Sequence, residues 1–148
     1  MKSRMLVFGW GNPSRGDDGL GPAFVGEATR KADVELLVDY QLQPEHALDL
    51  VGRDEVLFVD VSTSTTEPFE VFEVSPGPAV TFTTHHLSPG ALLAIFERIT
   101  GRPAPHARVL AIRGWSFALG EVLSERAKVN LEAALAWWSA QHALLAPR

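Results

Sequence analysis

The sequence has no cysteine, and that absence removes several chemistries at once. A disulfide framework, a thiolate metal site and a cysteine nucleophile are all excluded. No apolar run approaches the roughly 20 residues that a membrane helix needs. The N-terminus shows no signal-peptide pattern, so a cytoplasmic protein with no membrane contact is expected. Basic charge is also scarce: 13 Lys and Arg stand against 18 Asp and Glu, a net charge of −5. Nucleic-acid binding, which wants a basic face, has no support. Repeats, low-complexity tracts and dividing linkers are missing too. What is present is a chain of 148 residues, 46% hydrophobic and 21% charged. That is enough to bury a single core, so residues 1–148 are expected to form one domain.

The most informative stretch is MLVFGWGNPSRGDDGLGP, Met5 to Pro22. Met5, Leu6, Val7 and Phe8 form an apolar run without helical period, as suits a strand buried on both faces. Gly9, Gly11, Asn12, Pro13 and Gly16 supply turn chemistry. A glycine-rich turn that opens a helix usually attracts phosphate. Here Asp17 and Asp18 occupy that position instead. One acid can be explained as a helix cap; the pair points toward a cation.

Along the chain, Leu20 to Arg30 reads as a first helix, Val34 to Tyr40 as a strand, and Pro44 to Leu50 as a short helix with Pro44 in its first turn. Glu55 to Val61 is a third strand. Phe69 to Val74 is another, and the connection before it is too short for a parallel return, so it is expected to run antiparallel. Val80 to Thr84 reads as extended and leads into His85 and His86. Ser88 caps a helix through Thr100 with Pro89 in first position. Arg108 to Arg113 is the last strand, and Glu121 to His142 is expected to be one long helix supported by Ser124, Val129, Leu131, Ala134, Leu135 and Trp138. This alternation implies an α/β three-layer sandwich, mainly parallel with one antiparallel strand.

In such sheets, sites form beyond the carboxyl ends of the strands, where strand order reverses. Asp17 and Asp18 follow the first strand, Asp39 ends the second and Asp60 the third; His85 and His86 precede a later helix. Each has a plain structural alternative. Asp18 suits a cap, Asp60 could accept hydrogen bonds from the Ser62–Thr66 turn, and His46, His106 and His142 read as structural or solvated. Together, two carboxylates and an imidazole suit a divalent transition metal such as nickel, zinc or manganese. A serine hydrolase has no G-x-S-x-G context, and neither the G-x-x-x-x-G-K motif nor G-x-G-x-x-G is present. Trp115, Phe117, Trp137 and Trp138 read as packing residues, whereas Trp10, inside the glycine loop, suggests an exposed wall at the crevice.

The residues also carry a family resemblance. GWGNPSRGDDGLG (Gly9 to Gly21) resembles the G-x-G-N-x-x-x-x-D-D/E-x-x-G opening of the hydrogenase maturation endopeptidases, which trim the C-terminal tail of the nickel–iron hydrogenase large subunit. QLQPE (Gln41 to Glu45), FVDVS (Phe58 to Ser62), THHLSPGALL (Thr84 to Leu93) and FALGEVLS (Phe117 to Ser124) continue the match in order. One departure follows the second strand, where Asp39 precedes Tyr40, Gln41 and Leu42 rather than completing a D-G-G-T pattern. The resemblance implies a five-stranded sheet in the order 2-1-3-5-4 with the fourth strand reversed. It implies a metal-binding triad of Asp18, Asp60 and His85, the histidine chosen over His86 by its register with Leu87 and Ser88. It further implies that the metal is nickel carried by the substrate, that the partner is the immature large subunit, and that Asp17 or Asp39 assists as base or positioning group. A monomer is expected. The other readings are a flavodoxin-like module for a nucleotide or flavin, and an accessory protein without proteolytic activity.

Overall fold

The computed structural model describes residues 2–77 and 87–141. Val80 to Thr84, His85, His86 and His142, each with an expectation attached to it above, lie outside the described residues. Five strands form one sheet: β1 (Met5–Trp10), β2 (Val34–Asp39), β3 (Glu55–Ser62), β4 (Phe69–Val74) and β5 (His106–Arg113). Their order is β2-β1-β3-β5-β4. Every pairing is parallel except β4 with β5. The reversed strand is the one whose short approach forbade a parallel return, and it pairs with β5 at the sheet edge.

Helices cover both faces. Side chains alternate along a strand, so a strand buried on both faces feeds two cores. Val7, Leu57, Val59, Leu110 and Ile112 pack against α1 (Leu20–Glu27) and α3 (Glu125–Ala140). Leu6, Phe8, Val56, Phe58 and Val109 pack against α2 (Pro89–Thr100) and a 3-10 helix, Pro44–Leu50. The three-layer sandwich expected from the sequence is therefore present. Among the described residues, no helix is long and apolar enough to cross a membrane.

Several boundaries differ from expectation. The first helix ends at Glu27 rather than Arg30, because the Thr29 carbonyl accepts from the Trp138 indole at 2.9 Å instead of continuing a helical ladder. The last helix starts at Glu125, not Glu121. Ser124 is its cap and accepts from the Ala127 amide, while the Glu121 carboxylate bonds the Ser116 hydroxyl and the Ala118 amide in the preceding loop. Val129, expected among the packing residues of that helix, is 68% exposed. Ser88 caps α2 as expected, accepting from Ala91.

The glycine loop is drawn tightly over the sheet. A Cβ on Gly21 would lie 2.4 Å from the Trp10 carbonyl oxygen and 2.9 Å from that of Val59, so the start of α1 sits directly on the ends of β1 and β3. Gly11 has φ +145°, and a Cβ there would meet the Asp18 carbonyl oxygen at 1.9 Å. Gly21→Ala is expected to cost about 1–3 kcal/mol, because backbone must shift to admit the methyl. Chemical denaturation of the variant checks this, with the midpoint falling and the slope unchanged.

Candidate functional site

β1 connects leftward to β2 through α1 on one face, while β3 lies on its other side and joins the half of the sheet covered by α2. The reversal of strand order therefore falls between β1 and β3, and the crevice beyond their carboxyl ends is the favoured place for a site. Asp18 and Asp60 stand on its two sides.

Asp18 belongs to a 3-10 turn, Gly16–Gly19, that leads into α1. It is not a helix cap: neither that turn nor α1 has a side-chain cap. Instead its Oδ2 accepts from the Asn12 amide at 2.7 Å, closing the glycine loop on itself. Among the described residues its other oxygen has no hydrogen-bond partner. A phosphate would meet this carboxylate at the position where a nucleotide-binding loop offers bare amides, which argues against the nucleotide or flavin reading.

Asp60 continues the face of β3 that carries Val56 and Phe58, and so points toward the α2 layer. Its Oδ1 accepts from the adjacent Val61 amide at 2.8 Å. The Ser62–Thr66 turn does not use it: the amides of Ser64 and Thr65 bond the Ser62 hydroxyl. Burial pushes the Asp60 carboxyl up to about 6, opposed by the Val61 bond and reinforced by the negative charge of Asp18. Burial and the nearby negative charge of Asp18 thus raise the cost of ionising Asp60, a condition that a bound cation relieves. Asp60 also lines a cavity of about 540 Å³ with Ser62, Phe72, Gly77, Ser88 and Gly90. The chain that joins Gly77 to Ser88 contains His85. His85 itself lies outside the described residues, and among the described residues no three acids or histidines form a metal-binding group.

Asp17, for which the resemblance implies a base or positioning role, is held by four hydrogen bonds. It is fully buried. Its Oδ2 accepts from the amides of Trp115 and Ser116 at 2.8 and 3.1 Å and from the Ser124 hydroxyl at 2.8 Å, and its Oδ1 accepts from the Ser124 amide at 2.7 Å. Burial alone would raise its pKa, but the bonds from Ser124, Trp115 and Ser116 outweigh burial and hold it below the ordinary value. A carboxylate so enclosed anchors the loop after β5 and the cap of α3 to the glycine loop.

Asp39 closes β2 and is likewise engaged. Its Oδ1 accepts from the Tyr40 amide at 2.7 Å, and its Oδ2 lies 3.0 Å from His46 Nε2. The other ring nitrogen, Nδ1, accepts from the Gln43 amide at 2.8 Å, so Nε2 carries the proton and donates to Asp39. His46 is buried and edge-on to Phe8, with ring centroids 4.5 Å apart. It is the structural histidine that the sequence suggested. Trp10 is only partly the exposed wall expected: half-buried, it packs edge-on against Phe8 and Phe58, each at 5.9 Å.

The arrangement defines a class: a mixed five-stranded α/β sandwich that gathers carboxylates, not phosphate-binding amides, at its switch point. Known structures of this class make the comparison specific. The chain is similar to the nickel–iron hydrogenase maturation protease HycI of Thermococcus kodakarensis KOD1, with 26% identity and a TM-score of 0.69 over 92% of this chain and 90% of that one. The hydrogenase maturating endopeptidase HybD of E. coli shares 22% identity with a TM-score of 0.72, over 90% and 88% of the two chains. An endopeptidase of Escherichia coli shares 20% with a TM-score of 0.68, again over 90% and 88%. The resemblance read from Gly9 to Gly21 thus extends to the whole fold, strand order included. No family model matches the chain, and no curated protein does.

Proposed function

We propose that the protein is a hydrogenase maturation endopeptidase, removing the C-terminal extension of a nickel-loaded hydrogenase large subunit. One observation carries this reading beyond fold similarity: Asp60 stands with Asp18 at the β1–β3 switch point, pushed up to about 6 chiefly by its burial, with the charge of Asp18 adding to the shift. In this reading the nickel arrives with the substrate, and Asp18, Asp60 and His85 complete its coordination. Three protein ligands leave positions open for groups of the substrate. A metal held in this way acts on a peptide bond by polarising the carbonyl or by activating a water. Asp39, already bonded to Tyr40 and His46, serves to position the segment after β2.

The reading makes cleavage conditional on metal loading. Incubated with candidate large subunits from the same cytoplasm, the protein is expected to shorten the nickel-loaded form and leave the nickel-free form intact, as mass spectrometry of the tail would show. His85→Ala is expected to abolish the shortening with an unchanged circular dichroism spectrum. Normal processing by that variant would sink the triad, and equal processing of both substrate forms would sink the role of nickel. Absence of cleavage in every pairing, with no divalent cation bound, would favour the accessory-protein reading.

A further inference from the structure

A second cavity adjoins Asp18. It has a volume of about 540 Å³ and is lined by Asn12, Arg15, Asp18, Tyr40, Gln41 and Phe117. That volume lies in the range of small-ligand sites and exceeds what one side chain needs. Three separated segments build it, and each is pinned. The Arg15 amide bonds the Asn12 carbonyl, the Arg15 carbonyl accepts from the Asp18 amide, and the Arg15 backbone pairs with that of Glu121 in an isolated β-bridge. Residues 40 and 41 leave β2 through the Asp39–Tyr40 bond. Phe117 follows Trp115 and Ser116, whose amides Asp17 holds. The buried anchor thus fixes the ring of one wall against the loop that carries Arg15.

The charges inside the cavity are not spent on each other. Arg15 and Asp18 line the same space, yet among the described residues the Arg15 guanidinium makes no ion pair. Tyr40 is 70% exposed, an unusual position for a large ring that has a cavity beside it. A guanidinium, a phenol and the side-chain amides of Asn12 and Gln41 together present hydrogen-bond donors, with Phe117 as an apolar wall. Donors in this geometry favour a carboxylate, which a guanidinium grips through two parallel bonds. Asp18 excludes that carboxylate from its own end, leaving the Asp18 end for the cation.

We infer that the Arg15 cavity is a substrate subsite that takes a carboxylate of the polypeptide being processed, either an Asp or Glu side chain beside the cleaved bond or the tail's own terminus. The inference rests on the proposed protease function and adds a specificity determinant to it. Arg15 is then a binding residue rather than a catalytic one, and its loss acts on KM more than on kcat.

The test uses the full-length protein and a nickel-loaded precursor that the wild type cuts. Arg15→Ala and Arg15→Gln are each expected to lower kcat/KM about tenfold to a hundredfold, the range for a charge-assisted hydrogen bond, mainly through KM. On the substrate side, one arm neutralises each flanking Asp or Glu to Asn or Gln, and the other extends the tail past its terminus. One of these changes should reproduce the loss with wild-type enzyme and add nothing to it with Arg15→Ala. For a side-chain carboxylate, Arg15→Glu should regain activity on a precursor carrying Lys at that position, a rescue that a merely structural arginine would not give. Unchanged KM in both enzyme variants, or a precursor indifferent to both arms, overturns the subsite while the protease reading stands. If the wild type cuts no precursor, with or without nickel, the reading and the subsite fall together.

Discussion

Asp60→Asn is expected to make the protein more stable while abolishing its processing of a nickel-loaded precursor. The Asn side chain keeps the shape of the carboxylate, and its oxygen still accepts from the Val61 amide. What it removes is a charge that burial and the neighbouring Asp18 both disfavour. The folded pKa, about 6, lies above the ordinary value of 3.8. The folded protein therefore binds the proton more tightly than the unfolded chain, and stability is lost as pH rises from about 4 to 6. Above that window the full cost applies, on the order of 2–3 kcal/mol. Asp60→Asn should recover most of it at pH 8 and nearly none at pH 3.5, as urea denaturation at the two pH values would show. Cation binding should follow the opposite course in the wild type, strengthening as pH rises toward 6 because a ligand carboxylate must lose its proton. A variant no more stable than wild type at pH 8 would mean that the Asp60 charge is not penalised by its surroundings as the burial and the Asp18 charge imply. Full processing by the variant would mean that this carboxylate is not a ligand.

That coupling was partly legible in the sequence. Apolar runs such as MLVF and EVLFVDV identify strands buried on both faces, and the acid near the end of the second, Asp60, marks the carboxyl edge. The short approach to Phe69 was enough to reverse β4, because geometry forbids the alternative. Strand order was not encoded in any local pattern; it came with the family resemblance. Residues whose partners are distant in sequence were opaque. Asp17 and Asp18 are indistinguishable as a dipeptide, yet one faces the crevice and the other accepts bonds from residues 98 and 107 positions away. The start of α3 was misplaced for the same reason: Glu121 looks like a helix-opening acid until Ser116 and Ala118 claim its carboxylate. Val129 shows that apolar spacing alone does not decide which side of a helix is covered. Arg15, Tyr40 and Phe117 carry no pattern that joins them, and only the folded loops bring them to one cavity. The one hint was that the segments Gly9 to Gly21 and Phe117 to Ser124 both matched the same family, as segments that pack together would.

Asp17→Ala is expected to be among the most destabilising single substitutions in the chain, costing about 3–5 kcal/mol. The methyl leaves the amides of Trp115, Ser116 and Ser124 without the acceptor that now holds them, and buried donors left unsatisfied cost about 1–3 kcal/mol apiece before relaxation. For a chain of this size the melting midpoint should fall by roughly 10–15 °C. Asp17→Asn keeps one oxygen for Trp115 and Ser116 but turns an amide N–H₂ toward the Ser124 N–H, so a smaller loss is expected. The pH dependence has the sign opposite to that of Asp60. The folded pKa of Asp17 is depressed, so its contribution is present above the unfolded value near 3.8 and disappears as pH falls through the lower folded value. In acid the gap between the wild type and Asp17→Ala should therefore narrow, while the neutral carboxyl keeps an oxygen for the amides that Ala leaves unsatisfied. Function separates the anchor from a catalytic base. If Asp17 only holds the loop, Asp17→Asn processes substrate at a temperature where it remains folded, with Phe117 still against the Arg15 cavity. A variant that melts like the wild type but cleaves nothing would return Asp17 to the chemistry.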